Sequence, residues 1–184
     1  MASRLSDSAL LTAEQFLEIE FGPDIKAELD NGVIRMMAGG TITHSTIQGN
    51  FMRFLGNALR GSGCRPHASD AAVRTQAASV RYPDITVDCG ASISDDKVLA
   101  NPRMVVEILS PSTRRDDLGV KLDEYREIET VDTIVLVDPE TERLRVLQRT
   151  GPGAWADRSF AEPADLELPS LGLVMPYDEI FSDD

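Results

Sequence analysis

Two apolar runs, each long enough for one interior strand, carry a carboxylate between their hydrophobic residues. The first run is Tyr82-Pro83-Asp84-Ile85-Thr86-Val87, and the second is Met104-Val105-Val106-Glu107-Ile108-Leu109. Near-continuous apolar runs bounded by turn residues are typical of strands covered on both faces, as in layered α/β folds. A buried carboxylate without a partner is costly or takes up a proton. We therefore expect Asp84 and Glu107 to hold a cation.

Helix and strand signals fill the rest of the chain. The first half predicts a helix from Thr12 to about Glu20, a hairpin over 27–36 turning at Asn31-Gly32, and a helix from His44 to Arg60 capped by Thr43. Weak strand character follows over 65–76. The second half predicts a helix from about Arg114 to Glu129, a strand over 133–137 and a returning strand over 144–147. This order predicts a mixed α/β layer over 12–184, behind a flexible leader at 1–11. The tail after residue 151 is expected to add one or two short strands at most.

Composition fits a single globular domain. The chain has 184 residues, of which 42% are hydrophobic and 27% charged. No stretch approaches the roughly 20 apolar residues that cross a bilayer, and Met1–Ser8 lacks a signal-peptide core. We therefore expect no membrane contact and a cytoplasmic location. Cys64 and Cys89 lack metal-type spacing, so structural or incidental thiols in a reducing compartment are expected.

The formal charge of −13 argues against a nucleic-acid partner, because Lys and Arg normally drive phosphate binding. The charge is uneven, however. From Trp155 onward the chain has eight Asp or Glu residues and one basic residue, Arg158. Basic residues are instead expected to cluster around the suspected site, namely Arg103, Arg114, Arg115, Lys121 and Arg126. A bound divalent cation would also reverse the local sign of the charge.

The paired carboxylates suit Mg²⁺, with Mn²⁺ as an alternative. If the two strands are neighbours, Asp84 and Glu107 can emerge on one face, because strand side chains alternate. Magnesium prefers oxygen ligands in octahedral geometry and keeps several waters, and the backbone carbonyl of Ile108 can add a third protein ligand. Two alternatives stay open: Asp84 can cap local N–H groups at a strand end, and Glu107 can pair with an arginine while buried.

Three further residues are candidates for the site. Lys121 shares a helical face with Leu118 and Tyr125, so it is expected to point toward the sheet and to orient water or stabilise phosphate. Alternatively its stem covers the core and its ammonium reaches solvent. His44 can contact phosphate or assist proton transfer, or it can simply be an exposed histidine at a helix start. Glu28 can be a third metal carboxylate or an ordinary salt-bridge partner.

These residues resemble the Uma-type restriction endonuclease family within the PD-(D/E)XK nuclease superfamily. The resemblance covers about residues 12–180 and is carried by Glu28-Leu29-Asp30-Asn31-Gly32, His44, Tyr82–Val87, Val105–Thr113, Asp117-Leu118-Gly119, Lys121, Tyr125 and Val137-Asp138-Pro139. It implies an αβββαβ restriction-endonuclease-like core, a Mg²⁺ nuclease site at Asp84 and Glu107, and homodimers. The superfamily lysine expected two residues after the glutamate is Leu109 here, so Lys121 is expected to replace it.

The sequence thus leads to a Mg²⁺-dependent endonuclease that hydrolyses DNA phosphodiester bonds. A two-fold homodimer would suit cutting of both strands. One alternative is a catalytically degenerate domain that binds a partner or regulates a neighbour. Another is a structural α/β domain with buried salt bridges.

Overall fold

A computed structural model describes residues 10–23, 25–91, 96–110 and 117–183 of the chain. Within these residues the helices are α1 (Ala13–Leu17), α2 (Ile42–Ala58), α3 (Val120–Glu127) and α4 (Tyr177–Phe181), with a 3₁₀ turn at Pro169–Leu171. The strands are β1 (Ala27–Asp30), β2 (Val33–Met36), β3 (Arg65–Ala68), β4 (Val73–Gln76), β5 (Ser79–Arg81), β6 (Ile85–Asp88), β7 (Pro102–Ile108), β8 (Thr133–Asp138), β9 (Arg143–Gly151), β10 (Ala154–Ser159), β11 (Leu166–Leu168) and β12 (Leu173–Met175).

A six-stranded mixed sheet forms the centre of the fold, in the order β10-β9-β8-β7-β6-β3. β7 and β8 are parallel, and the other neighbours are antiparallel. Parallel neighbours need a crossover connection, which α3 supplies. The sequence α2, β3, β6, β7, α3, β8 reproduces the predicted αβββαβ order, with β4 and β5 diverted to a second sheet. The predicted fold class is confirmed.

The second sheet has four strands in the order β2-β1-β5-β4. The predicted hairpin is present, and Asn31 (φ 47°) and Gly32 (φ 81°) make its turn in the left-handed region. Such a two-residue turn matches the twist of the flanking strands. α1 begins with the predicted capping box, in which Thr12 and Gln15 bond reciprocally. Phe16 of α1 packs with Leu29 and Val80 on this small sheet.

Both faces of the large sheet are covered, as the apolar runs predict. On one face α2 contributes Phe51 and Leu55, which pack against Met104 and Val106 of β7. On the other face Leu122 and Tyr125 of α3 pack against Val105 and its strand neighbours. The alternation along β7 therefore points Val105 and Glu107 toward α3. This explains how an apolar run can present a carboxylate to a helix.

Some predicted boundaries are wrong. α2 begins at Ile42 and is capped by Thr41, whose side chain accepts the His44 N–H, whereas Thr43 lies inside the helix. Leu118 was expected on the buried stripe of the third helix, but it is 37% exposed and precedes α3. The tail after 151 is richer than predicted, since it contains β10, β11, β12, the 3₁₀ turn and α4. The predicted start of the third helix, with Arg114 and Arg115, lies outside the described residues, as do 1–9 of the leader.

The two cysteines are bonded to each other, which the sequence reading missed. Cys64, after α2, forms a disulfide with Cys89, after β6. The expected free thiols are therefore absent. Because disulfides are rare in reducing compartments, this bond weighs against the cytoplasmic prediction, which nothing else tests. In the described part of the chain no helix is long and apolar enough to cross a membrane.

Candidate active site

Asp84 lies just before β6, and Glu107 lies near the end of β7. The antiparallel register pairs Ile85 with Val106, so one further step places Asp84 opposite Glu107. Opposed residues in an antiparallel pair present their side chains on the same face. Asp84 Oδ2 also accepts the Ile108 N–H at 2.7 Å, which turns this carboxylate toward the end of β7. The alternative considered for Asp84 was that it caps N–H groups close to it in sequence. The N–H that it accepts belongs instead to the neighbouring strand.

Glu107 is a buried carboxyl group whose main contacts come from α3. It is 3% exposed, and its Oε1 accepts the Tyr125 hydroxyl at 2.6 Å. Burial raises the pKa of Glu107 to about 8. The Lys121 ammonium opposes this shift, and the carboxylates of Asp117, Asp84 and Glu28 add to it. In the described part of the chain Glu107 contacts Tyr125 and Lys121, and not the arginine partner that was the predicted alternative.

Lys121 lies between three carboxylates. Its Nζ is 3.1 Å from Glu28 Oε1, 3.2 Å from Asp117 Oδ1 and 3.6 Å from Glu107 Oε1. The residue is 6% exposed, so the alternative of an ammonium in solvent is wrong and the predicted inward direction is observed. Burial alone would lower the pKa of Lys121, but the three carboxylates raise it above its usual range. The ammonium therefore stays charged at neutral pH.

Glu28 reaches the site from β1 of the small sheet. Besides Lys121, it contacts Arg81 Nη1 at 3.5 Å, and its Oε1 accepts the Tyr82 N–H at 3.1 Å. Glu28 is therefore a salt-bridge partner, as one of the two predictions had it, and its ion pairs with Arg81 and Lys121 are buried. A role for Glu28 as a third metal ligand stays a prediction.

His44 approaches Asp84 from the first turn of α2. Its Nε2 is 3.2 Å from Asp84 Oδ2, and both side chains are largely shielded, so the exposed-histidine alternative is wrong. The hydrogen bond to Asp84 raises the pKa of His44 although burial opposes it, and the Ile108 backbone also raises it. Gln48, one helical turn later, donates to the Asp84 backbone carbonyl at 2.7 Å. The chain thus brings His44, Asp84, Glu107 and Lys121 together at one end of the sheet.

Sequence reasoning missed the buried network behind Lys121. Arg81 of β5 is 4% exposed and binds Glu124 of α3 through Nε and Nη2, each at 2.8 Å. Nη2 also binds Asp30 at 2.9 Å, and Thr75 donates to Glu124 at 2.7 Å. Arg81 directly follows Val80 in a mostly apolar stretch. This position is the feature of the sequence that could have indicated a buried arginine. The partner Glu124 lies 43 residues away, and no sequence pattern pairs the two.

Two of the arginines predicted to cluster around these carboxylates, Arg103 and Arg126, lie elsewhere in the described part of the chain. Arg103 lies near the start of β7, whereas Glu107 lies near its end, and the Arg103 guanidinium donates to Asp132 at 2.7 Å. Arg126 instead contacts Asp123 and Asp157. Of the predicted cluster, Lys121 is the member that the described residues place at the site.

The donor chemistry of the site fits one hard cation. Two carboxylates, Asp84 and Glu107, and the Ile108 carbonyl are the oxygen ligands that Mg²⁺ prefers. Among the described residues no three His, Cys, Asp or Glu side chains form a ready group for a metal. The Lys121 ammonium lies beside three carboxylates of this region, those of Glu28, Asp117 and Glu107. A cation beside Glu107 would also replace the proton that burial favours there.

Comparison with known proteins places this site in a family. The family model Uma2, described as a putative restriction endonuclease, matches residues 13–176. The chain belongs to the Uma2 family. Two uncharacterized proteins of Synechocystis sp. are similar to this Uma2 chain. One, slr1290, is 28% identical over 173 residues, which cover 93% of this chain and 91% of that protein. The other, sll1609, is 26% identical over 169 residues, which cover 89% and 96% of the two chains.

A solved structure has the same fold as this Uma2 chain. It is a putative nuclease belonging to DUF820 from Anabaena variabilis, with a TM-score of 0.76 and 20% sequence identity. The match covers 94% of this chain and 98% of that one. At this identity the likeness establishes the fold alone. The chemistry of this Uma2 chain has to be inferred from the residues of its site.

Proposed function

We propose that the protein is a Mg²⁺-dependent endonuclease that hydrolyses phosphodiester bonds in DNA. The observation that carries the proposal is the placement of Asp84 just before β6 and of Glu107 near the end of β7, beside the buried ammonium of Lys121. Membership of a restriction endonuclease family and a nuclease-like fold support it. Mn²⁺ is expected to substitute for Mg²⁺, since both accept carboxylate and carbonyl oxygens.

Asp84, Glu107 and the Ile108 carbonyl would hold the cation. When bound, Mg²⁺ would lower the pKa of its water and neutralise charge on the reacting phosphate. Asp84 is held for this task by the Ile108 N–H and by His44. Glu107 is held by the Tyr125 hydroxyl. The protein thus fixes both carboxylates before substrate binds.

Lys121 acts in this proposal as a fixed positive charge and not as a general base. Its raised pKa keeps it protonated at neutral pH, so it can donate to a water or to a phosphate oxygen but cannot remove a proton. A preorganised charge near the reacting phosphate is worth most where water is excluded. His44 is the candidate for proton transfer near neutral pH, because its pKa is raised above 6.5.

The test is cleavage of supercoiled plasmid by pure protein with and without Mg²⁺. Asp84→Asn and Glu107→Gln should each lose at least about 100-fold in rate, because both ligands hold one cation. Asp70→Asn is the matched control, since Asp70 is a well-exposed carboxylate bound to Lys26. Cleavage that survives unchanged in both site variants would reject the assignment. Linear product appearing directly from supercoiled plasmid would support a two-fold dimer with two sites.

A catalytically degenerate binding domain is the second candidate. The net charge of −13 favours it, because it opposes binding of nucleic acid. Titration with Mn²⁺ separates the two functions. A degenerate domain is expected to show no saturable site that depends on Glu107, whereas the nuclease is expected to show one.

A further inference from the structure

Tyr125 is a buried phenol whose hydroxyl contacts the proposed metal ligand Glu107. It lies on α3 one turn after Lys121 and is fully buried. Its hydroxyl donates to Glu107 Oε1 at 2.6 Å, which is short for such a bond. Burial and the Glu107 charge both raise the pKa of Tyr125 well above its usual range, so it stays a donor.

The bond restricts how Glu107 can present its two oxygens. Tyr125 and Lys121 both approach Oε1, at 2.6 Å and 3.6 Å. A glutamate side chain has three rotatable bonds, and ordering it costs rotamer entropy. In the described part of the chain these two contacts from α3 are made to Oε1, so we assign Oε2 to an incoming cation.

The phenol is held in place independently of Glu107. The residue before it, Glu124, binds Arg81 through two 2.8 Å contacts and accepts from Thr75. These contacts fix this turn of α3 against the small sheet. The rigid partner in the Tyr125–Glu107 bond is thus the tyrosine, and the oriented partner is the carboxylate.

We propose that Tyr125 is a positioning residue, which engages Oε1 of Glu107 so that Oε2 faces the divalent cation. The proposal rests on the proposed function. Removing a hydrogen-bond partner of a metal ligand typically lowers metal affinity by about 10–100-fold. Tyr125→Phe is therefore expected to weaken binding of Mn²⁺ by that factor and to lower the rate of plasmid cleavage.

The experiment measures Mn²⁺ affinity by calorimetry in the full chain. Tyr177→Phe is the matched control, since Tyr177 also donates to a glutamate, Glu142, at 2.8 Å but on the surface. It should bind Mn²⁺ as the wild type does, within about twofold. In a Glu107→Gln background the Tyr125→Phe change should add nothing to the loss, because the phenol acts through Glu107.

Unchanged Mn²⁺ affinity in Tyr125→Phe would overturn the positioning role and leave the nuclease proposal standing. No Mn²⁺ binding by the wild type would overturn the metal site and the positioning role with it. If Tyr125→Phe does not fold, ¹⁹F NMR of the 3-fluorotyrosine-labelled chain decides. Tyr82→Phe and Tyr177→Phe assign the three resonances. A Tyr125 resonance that does not move on saturation with Mg²⁺ would refute the proposal.

Discussion

Lys121 of α3 and Glu28 of β1 join the two sheets at the candidate site, with 3.1 Å between Nζ and Oε1. Glu28 belongs to the small sheet, whereas the Asp84 and Glu107 strands belong to the large one. The helix between them also reaches Glu107 through the same ammonium, at 3.6 Å. The position of α3 between the sheets therefore sets the charge balance of the site.

Replacing Lys121 by methionine should abolish cleavage and destabilise the fold. Three buried carboxylates would lose their shared cation, and breaking a buried ion pair in this way costs about 3–5 kcal/mol. The loss in rate should reach at least about 100-fold, the usual effect of removing a preorganised donor. Urea denaturation at pH 8 and plasmid cleavage measure the two effects.

Lys26→Met is the control for this prediction. Lys26 forms a short ion pair with Asp70, but both side chains are mostly exposed. Such surface pairs contribute at most about 1 kcal/mol, so this variant should stay close to the wild type. A Lys121→Met protein with wild-type cleavage would contradict the assigned role of the ammonium.

The metal-free protein should become less stable as pH rises from about 5 to 8. Burial raises the pKa of Glu107 from 4.5 to about 8, so between these values the folded chain holds a proton that the unfolded chain has lost. The free energy of unfolding then falls with pH, with a slope of up to about 1.4 kcal/mol per pH unit. His44 acts with the same sign above pH 6.5, because its pKa is also raised.

Urea denaturation across this range in EDTA measures the slope. Glu107→Gln should reduce it, since glutamine does not titrate, and the difference between the two proteins isolates Glu107 from His44. Saturating Mg²⁺ should also flatten the slope, because the cation favours the ionised carboxylate. Identical slopes in wild type and Glu107→Gln would show that Glu107 does not hold the extra proton.

The sequence is informative where residues act through local pattern. The apolar runs around Asp84 and Glu107 predict interior strands, although it is the structure that shows these strands to be neighbours. The helical spacing of Lys121 predicts its inward direction. The hairpin turn at Asn31-Gly32 is equally local, because it needs left-handed backbone. These features follow from local pattern, and the roles of the residues in the site stay predictions.

Local sequence pattern does not predict contacts between segments that are far apart in the chain. Arg81 and Glu124 are 43 residues apart, and the hydrogen bond from Tyr125 to Glu107 spans 18 residues. Cys64 and Cys89, expected as free thiols, are brought together by the antiparallel pairing of β3 and β6, in which Arg65 lies opposite Asp88. Arg103, a member of the predicted basic cluster, is near Glu107 in sequence, but it lies near the start of β7 and Glu107 lies near its end.

Arg81→Met should destabilise the protein far more than loss of a similar pair at the surface. Arg81 binds buried Glu124 through two nitrogens and also contacts buried Glu28 and half-buried Asp30. Leaving these carboxylates without their cation should cost about 3–5 kcal/mol. Thermal or urea denaturation checks the value.

Arg145→Met provides the matched comparison. Arg145 also binds a carboxylate through two nitrogens, since Nε and Nη2 are 3.0 Å and 2.7 Å from the oxygens of Asp157. Both side chains are about one-third exposed, so solvent screens the pair and its loss should cost less than about 1 kcal/mol. Equal costs for the two variants would mean that burial does not determine the contribution of Arg81.

Gly40→Ala should impair cleavage with little effect on stability, through His44. A Cβ at Gly40 would lie 2.9 Å from Cγ and Nδ1 of His44, so the imidazole must shift away. Its 3.2 Å contact with Asp84 would then lengthen or break. Gly39→Ala is the control, because a Cβ there meets nothing within 4 Å.

Gly39 and Gly40 are neighbours in one loop, so replacing either by alanine should lower the conformational entropy of the unfolded chain by a similar amount. The two variants differ in whether the new Cβ contacts the His44 imidazole. We expect Gly39→Ala to cleave plasmid at the wild-type rate and Gly40→Ala to be at least about tenfold slower, since mispositioned catalytic groups lose rate steeply. ¹⁵N-histidine NMR of the metal-free proteins reports the imidazole directly. If Gly40→Ala changes the His44 resonances but leaves the rate intact, the contact between His44 and Asp84 serves the fold and not the reaction.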